Sequence, residues 1–176
     1  MNTSLLELKL KRLKISFKKE GNKVIIGKAK TDMTVLFFLV LLPFILSISI
    51  VFYSLITGWI LGKAYIFALF LFLFAAFNFK RIGIKKEANN HVKTFVNNAV
   101  KIQIGKYVNT FDVHSIDRFT FTVKEIQNDV FEGKLFLLDK NNNSYQILGF
   151  DDDSEQLVQN DLVWFIDFFK EYLKMD

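Results

Sequence analysis

The stretch Met33–Ile56, MTVLFFLVLLPFILSISIVFYSLI, decides how the rest of this 176-residue chain is read. Its 24 residues carry no charge, and seventeen of them are Leu, Ile, Val or Phe. A helix rises about 1.5 Å per residue, so this run exceeds the roughly 30 Å hydrocarbon core of a bilayer with some tilt. Each of those side chains favours insertion by about 0.3–0.6 kcal/mol at mid-membrane, which outweighs Ser47, Ser49 and Pro43. Pro43 removes one backbone hydrogen bond and is expected to kink the helix. A second apolar run, Ile60–Phe79, follows after Thr57, Gly58 and Trp59. Its one charge, Lys63, stands near an end where a lysine can snorkel to the interface, and Trp59, Tyr65 and Tyr53 suit the same layer. The stretch reads as a transmembrane helical hairpin over residues 32–80, with helices at 33–56 and 60–79.

Charge gives the hairpin an orientation. Residues 1–32 hold nine Lys/Arg against Glu7, Glu20 and Asp32, and residues 80–101 hold six against Glu87, while the turn region has only Lys63. The positive-inside rule then places both termini in the cytoplasm. Residues 102–176 reverse the sign, with fourteen Asp/Glu against seven Lys/Arg, which argues against nucleic acid as a partner. The basic clusters, with Lys28, Lys30, Lys80, Arg81, Lys85 and Lys86, are candidate contacts for anionic lipid head groups as well as topology determinants. With no cysteine, disulfides and Cys-based zinc sites are ruled out.

The flanks read as a small α+β domain. Residues 1–31 alternate as Leu6, Leu8, Leu10, then Leu13, Ile15, Phe17, which is period two with one slip at Lys11–Arg12. The expectation is a bulged strand, a turn at Glu20-Gly21-Asn22 and a returning strand over 23–28, the pair joining the cytoplasmic domain. Residues 81–98 form a basic connector, helical to about Asn89 and then irregular or strand. From Ala99 strands alternate with turn signals at Gly105-Lys106, His114–Asp117 and Lys140–Ser144. The chain closes with an amphipathic helix over 154–174, with Leu162, Phe165, Ile166, Phe169 and Leu173 on its buried face and first-turn acids ahead of it.

Each candidate for chemistry has a simpler reading. Asp112, His114, Ser115 and Asp117 bring Ser, His and Asp together, but a triad is assembled by geometry, and a strand-to-turn corner explains the same residues. Asp151-Asp152-Asp153-Ser154-Glu155 lacks the glycine and the bidentate Glu of a calcium loop and reads as helix capping. His91 and His114 have no metal-ligand spacing, and no metal or cofactor is expected. Gly58, Gly62, Ala64 and Ala68 give small-residue spacing on the second helix, and Ser47 and Ser54 lie seven apart on the first. They suit packing within the hairpin or, alternatively, in a homo-oligomer. With no charge deep in either run, transport is disfavoured.

A run of strands closed by one C-terminal helix and attached to a two-helix hairpin resembles the bacterial pleckstrin-homology-like small membrane proteins. The matching pieces are the strand-corner-strand over 107–119, the hairpin over 133–150 and the helix over 154–173. The resemblance implies a PH-like domain over 99–176, a bacterial inner-membrane location and a binding role. The leading expectation is therefore a non-enzymatic, membrane-anchored cytoplasmic module that binds a protein partner or acts as a scaffold. The alternative is a small regulatory or immunity-type membrane protein. A membrane-bound hydrolase built on the Asp112–Asp117 cluster is the third reading.

Overall fold

In the computed structural model, residues 3–29, 33–58, 62–96, 98–127 and 129–175 are described. The chain divides into two compact units, residues 31–84 and a second made of residues 1–30 with 85–176. Two sequence-distant pieces therefore complete one domain.

That domain opens with a helix, α1 (Thr3–Arg12), where the alternation of Leu6, Leu8 and Leu10 predicts a strand. The correction has a clear cause. Leu6, Leu10 and Leu13 are buried at i, i+4 and i+7, whereas Leu8 is 63% exposed. Leu, Lys, Glu and Arg are good helix formers, and no β-branched residue follows Thr3 before Ile15. Lys9, Lys11 and Arg12 in the last turn complement the helix dipole.

Two strands follow, β1 (Ile15–Glu20) and β2 (Lys23–Ala29), with a register shift between Ile15 and Phe17. After residues 31–84, the domain resumes with β3 (Val92–Val96), β4 (Ala99–Ile104) and β5 (Tyr107–Asp112). These make one antiparallel sheet in the order β1-β2-β3-β4-β5. A second antiparallel sheet holds β6 (Ile116–Gln127), β7 (Val130–Asp139) and β8 (Ser144–Asp152) in sequence order. The expected corner at His114–Asp117 is shorter than the sequence suggests, since Ile116 and Asp117 already belong to β6. Asp151 and Asp152 likewise end β8 and do not begin the last helix.

The C-terminal helix, Glu155–Leu173, is capped by Ser154, whose hydroxyl accepts from the Leu157 N–H. It packs on both sheets. Phe169 stacks on Phe95 of β3 at 4.4 Å between ring centroids and lies 5.9 Å from Phe119 of β6. Gly133 of β7 is required beneath it, because an added Cβ would stand 2.5 Å from Val158 Cγ1 and 2.9 Å from Leu162 Cδ1. Helix α1 joins the same core through Leu6 and Leu10. It is tied to the C-terminal helix by Asp161, which accepts from Lys9 Nζ at 2.6 Å and from the Arg12 guanidinium. Lys9 also lies 5.0 Å over the Trp164 ring.

The other unit is built from α2 (Met33–Thr57) and α3 (Gly62–Ala88), the latter running on past Phe79 into the domain's segment. The last helix of the chain, Glu155–Leu173, is α4. Pro43 shapes α2 by widening it. Phe37–Leu41 forms a π-helical turn in which the Leu42 N–H bonds to the Phe37 carbonyl. The wider turn just ahead of the ring makes room for a residue that clashes with the preceding turn and donates nothing.

Candidate functional site

Both α2 and α3 contain spans long and apolar enough to cross a membrane, Met33–Thr57 and Gly62–Gly83. Only 17% and 11% of their most apolar windows are buried, so they lack the packing of core helices in a soluble protein. Leu55, Ile56, Ile66, Phe70 and Phe79 are among many large apolar side chains left open. A surface this apolar needs a nonpolar solvent or a partner.

Small and hydroxylated residues line the contact inside this unit. Ser47 donates to the Ala68 carbonyl at 2.8 Å, and Ser54 donates to the Tyr65 hydroxyl at 2.7 Å. Ser47, Ser54, Ala68 and Ala75 are buried, and Phe44 meets Phe72 at 6.0 Å between centroids. The structure thus brings Ser47, Ser54 and Ala68 together, with Ala64 half-buried nearby in sequence. Gly58 and Gly62 do something else. Gly58 ends α2 in the left-handed conformation at φ 64°, and both glycines have open space where a Cβ would stand. A groove of about 400 Å³ runs beside Ser47, lined by Ile48, Val51, Phe52, Leu55, Leu69 and Phe72. Trp59 and Ile60 lie outside the described residues.

The basic candidates fall in both units. Lys80 and Arg81 stand on α3, with the Arg81 guanidinium 6.0 Å from the Phe77 ring centroid. Lys28 is exposed in β2, and Lys86 is exposed near the end of α3. Lys30 and the side chain of Lys85 lie outside what the structure describes.

Two buried polar groups in the segment after α3 are missed by the sequence reading. The Asn89 side chain pairs with both backbone groups of Gly149, donating to its carbonyl at 2.6 Å and accepting from its N–H at 3.1 Å. It thereby acts as a strand partner along the open edge of β8. Lys93 is fully buried between Ile26 and Ile102, its neighbours in register on β2 and β4. Its Nζ has no hydrogen-bond partner among the described residues. Burial pushes the Lys93 amine down to about 8. His91 is also lowered, first by desolvation and then by the nearby charges of Lys93 and Lys28. The signal for Lys93 was present: in a strand, residues 93 and 95 share a face, and Phe95 belongs in the core.

The Ser–His–Asp cluster is used by a turn. The Asp112 carboxylate accepts from the Ser115 N–H at 2.7 Å, and the Ser115 hydroxyl donates to the Asp112 carbonyl at 2.9 Å. Hydrogen bonding from Ser115, by its side chain first and then by its backbone N–H, holds the Asp112 carboxyl below its usual range, and His114 is exposed beside them. Among the described residues no group of three or more His, Asp or Glu could hold a metal ion. No protein-family model matches the sequence, and no curated protein matches it as a relative.

Proposed function

We propose that this chain is a non-enzymatic membrane-anchored module, with α2 and α3 crossing the bilayer and the α+β domain held on the cytoplasmic side to bind a protein partner. The observation that carries the reading is the pair of long apolar helices whose surfaces stay open while the flanking segments form a packed domain. Charge supports the orientation, because both segments leading from the helices into the domain are basic. Two antiparallel sheets closed by a C-terminal helix are what the likeness to pleckstrin-homology-like domains leads one to expect, and such domains are generally binding modules. Asp112 and Ser115 are held in a turn, Ser154 in a helix cap and Asp161 in ion pairs, which supports a role in binding over chemistry.

The reading is tested in cells. The protein should stay in the membrane fraction at alkaline pH, and reporters fused at either terminus should report the cytoplasm. Crosslinking from exposed positions of the C-terminal domain should then capture a recurring protein partner. Extraction at alkaline pH or an external C-terminus would overturn the anchoring and the orientation respectively, and crosslinking that repeatedly captures nothing would overturn the binding role.

A further inference from the structure

The register of the five-stranded sheet says what lies at each of its ends. Glu20 pairs with Lys23 and Val96 with Ala99, so the β1–β2 and β3–β4 turns mark one end. At the opposite end Ile15 pairs with Ala29, Ile26 with Lys93, Val92 with Gln103, and Ile104 with Tyr107. That end therefore gathers the last residues of β2 before the chain leaves for α2, the first residues of β3 after it returns from α3, and the tip of the β4–β5 hairpin.

The tip is Ile104-Gly105-Lys106-Tyr107-Val108, turning at Gly105 with φ 62°. Turn tips in water are ordinarily polar. Here Tyr107 is 79% exposed, Val108 56% and Ile104 36%, so the tip carries apolar groups on both faces, Tyr107 with its partner Ile104 on one and Val108 on the other. The domain's other exposed large apolar residues, Leu5, Leu8, Leu157 and Val163, are spread over two helices. Lys106 sits within the tip and exposed Lys28 lies at the same end, with half-buried His91 beside it. No Asp or Glu occurs among residues 27–29, 91–93 and 103–108. An amphipathic tyrosine, two aliphatics and lysines without acids match the interfacial layer of a bilayer, where the ring sits at head-group level and lysines reach phosphates.

We propose that the β4–β5 tip is a further membrane contact, with Ile104, Tyr107 and Val108 in the interfacial layer of an anionic bilayer and Lys106 and Lys28 on its head-group phosphates. This rests on the reading of α2 and α3 as spans. The chain leaves for those helices five residues after Lys28 and returns three residues before His91, at the end of the sheet that carries the tip.

The absence of native cysteine allows clean labelling. The full-length chain with Tyr107→Cys or with Lys23→Cys, the latter at the far end of the sheet, is labelled with an environment-sensitive fluorophore. Both are reconstituted in vesicles of mixed zwitterionic and anionic lipid. The expected result is a blue-shifted label at position 107, quenched several-fold more by head-group-region nitroxide lipids than the label at position 23. Equal, weak quenching at both positions in protein that resists alkaline extraction would overturn the tip contact alone. A blue shift without lipid quenching would also overturn it, because it would place the tip against protein. Protein extracted at alkaline pH would remove the anchoring reading and the tip contact together.

Discussion

Lys93 is the residue at which this sequence breaks a rule of its own fold. A charged group fully enclosed by Ile26, Ile102 and the rest of the core, with no hydrogen-bond partner among the described residues, opposes folding. Its amine falls from the ordinary 10.5 to about 8, and at 1.36 kcal/mol per unit that amounts to roughly 3 kcal/mol. The sign follows from proton counting. Between about 8 and 10.5 the unfolded chain holds a proton that the folded domain has released, so stability rises with pH across that window. Below about 8 the penalty is fully present. Lys93→Met keeps the length and removes the charge, so it should stabilise the domain near neutral pH by roughly 3 kcal/mol and flatten the pH dependence. Thermal melts of the detergent-solubilised chain at pH 7 and pH 10 check this, and a lower midpoint for Lys93→Met at pH 7 would refute it. Lys93 shares the face of Phe95 once residues 92–96 are read as a strand, whereas Asn89 was hard to see from the sequence because its position depends on the chain joining an existing sheet. Asn89 reads as a turn residue until Gly149, 60 residues away, arrives at its side chain.

At the scale of elements, α1 shows why one periodicity can hide another. Five leucines in nine residues satisfy both an alternating and a helical pattern, and only burial separates Leu6, Leu10 and Leu13 from Leu5 and Leu8. The later strands and α4 were legible because Gly, Asn and Asp turn signals bracket them and the α4 stripe is wide. Asp161 of α4 is the electrostatic clasp for α1, buried against Lys9 and Arg12. Asp161→Ala should cost about 2 kcal/mol, the scale of charge-assisted hydrogen bonds partly open to water. Limited proteolysis should then cut within residues 9–14 faster than in the parent chain, and an unchanged cutting rate would deny α1 that clasp. The contact of α4 with β7 is tested by Gly133→Ala. The new methyl meets Val158 and Leu162 where no space exists, so a loss of about 1–3 kcal/mol is expected from the melting midpoint. In a Val158→Ala background the further loss from Gly133→Ala should be smaller than in the parent chain, because the nearest clash has been removed.

For the whole molecule, the apolar stretch was legible from length and lack of charge, because a bilayer selects on those two properties. Its place inside a domain was legible in outline too, since strand-like residues stand on both sides of it. What needed the structure was that β2 and β3 are direct antiparallel neighbours, with Ile26 opposite Lys93. Neighbouring strands of this kind are ordinarily joined by a few residues, and their paired Cα atoms lie about 4.5–5.5 Å apart. Residues 31–84 therefore lie, with the end of α3, in the connection between two neighbouring strands, where a hairpin loop ordinarily stands. Loop closure costs grow slowly with length, which is why such an insertion is compatible with the sheet. The same geometry predicts that the insertion is dispensable for folding. Replacing residues 31–84 by a Gly/Ser linker of about five residues, with Asn89 kept for Gly149, should give a soluble domain. It should show mixed helix and strand by circular dichroism and one cooperative melt, since every residue of its core cluster lies in residues 1–30 or 85–176. Aggregation of that chain at every linker length would mean that the domain needs the hairpin to fold, and the two units would then be one thermodynamic body. A cooperative melt would show the reverse, that the domain holds its own stability without the apolar insertion.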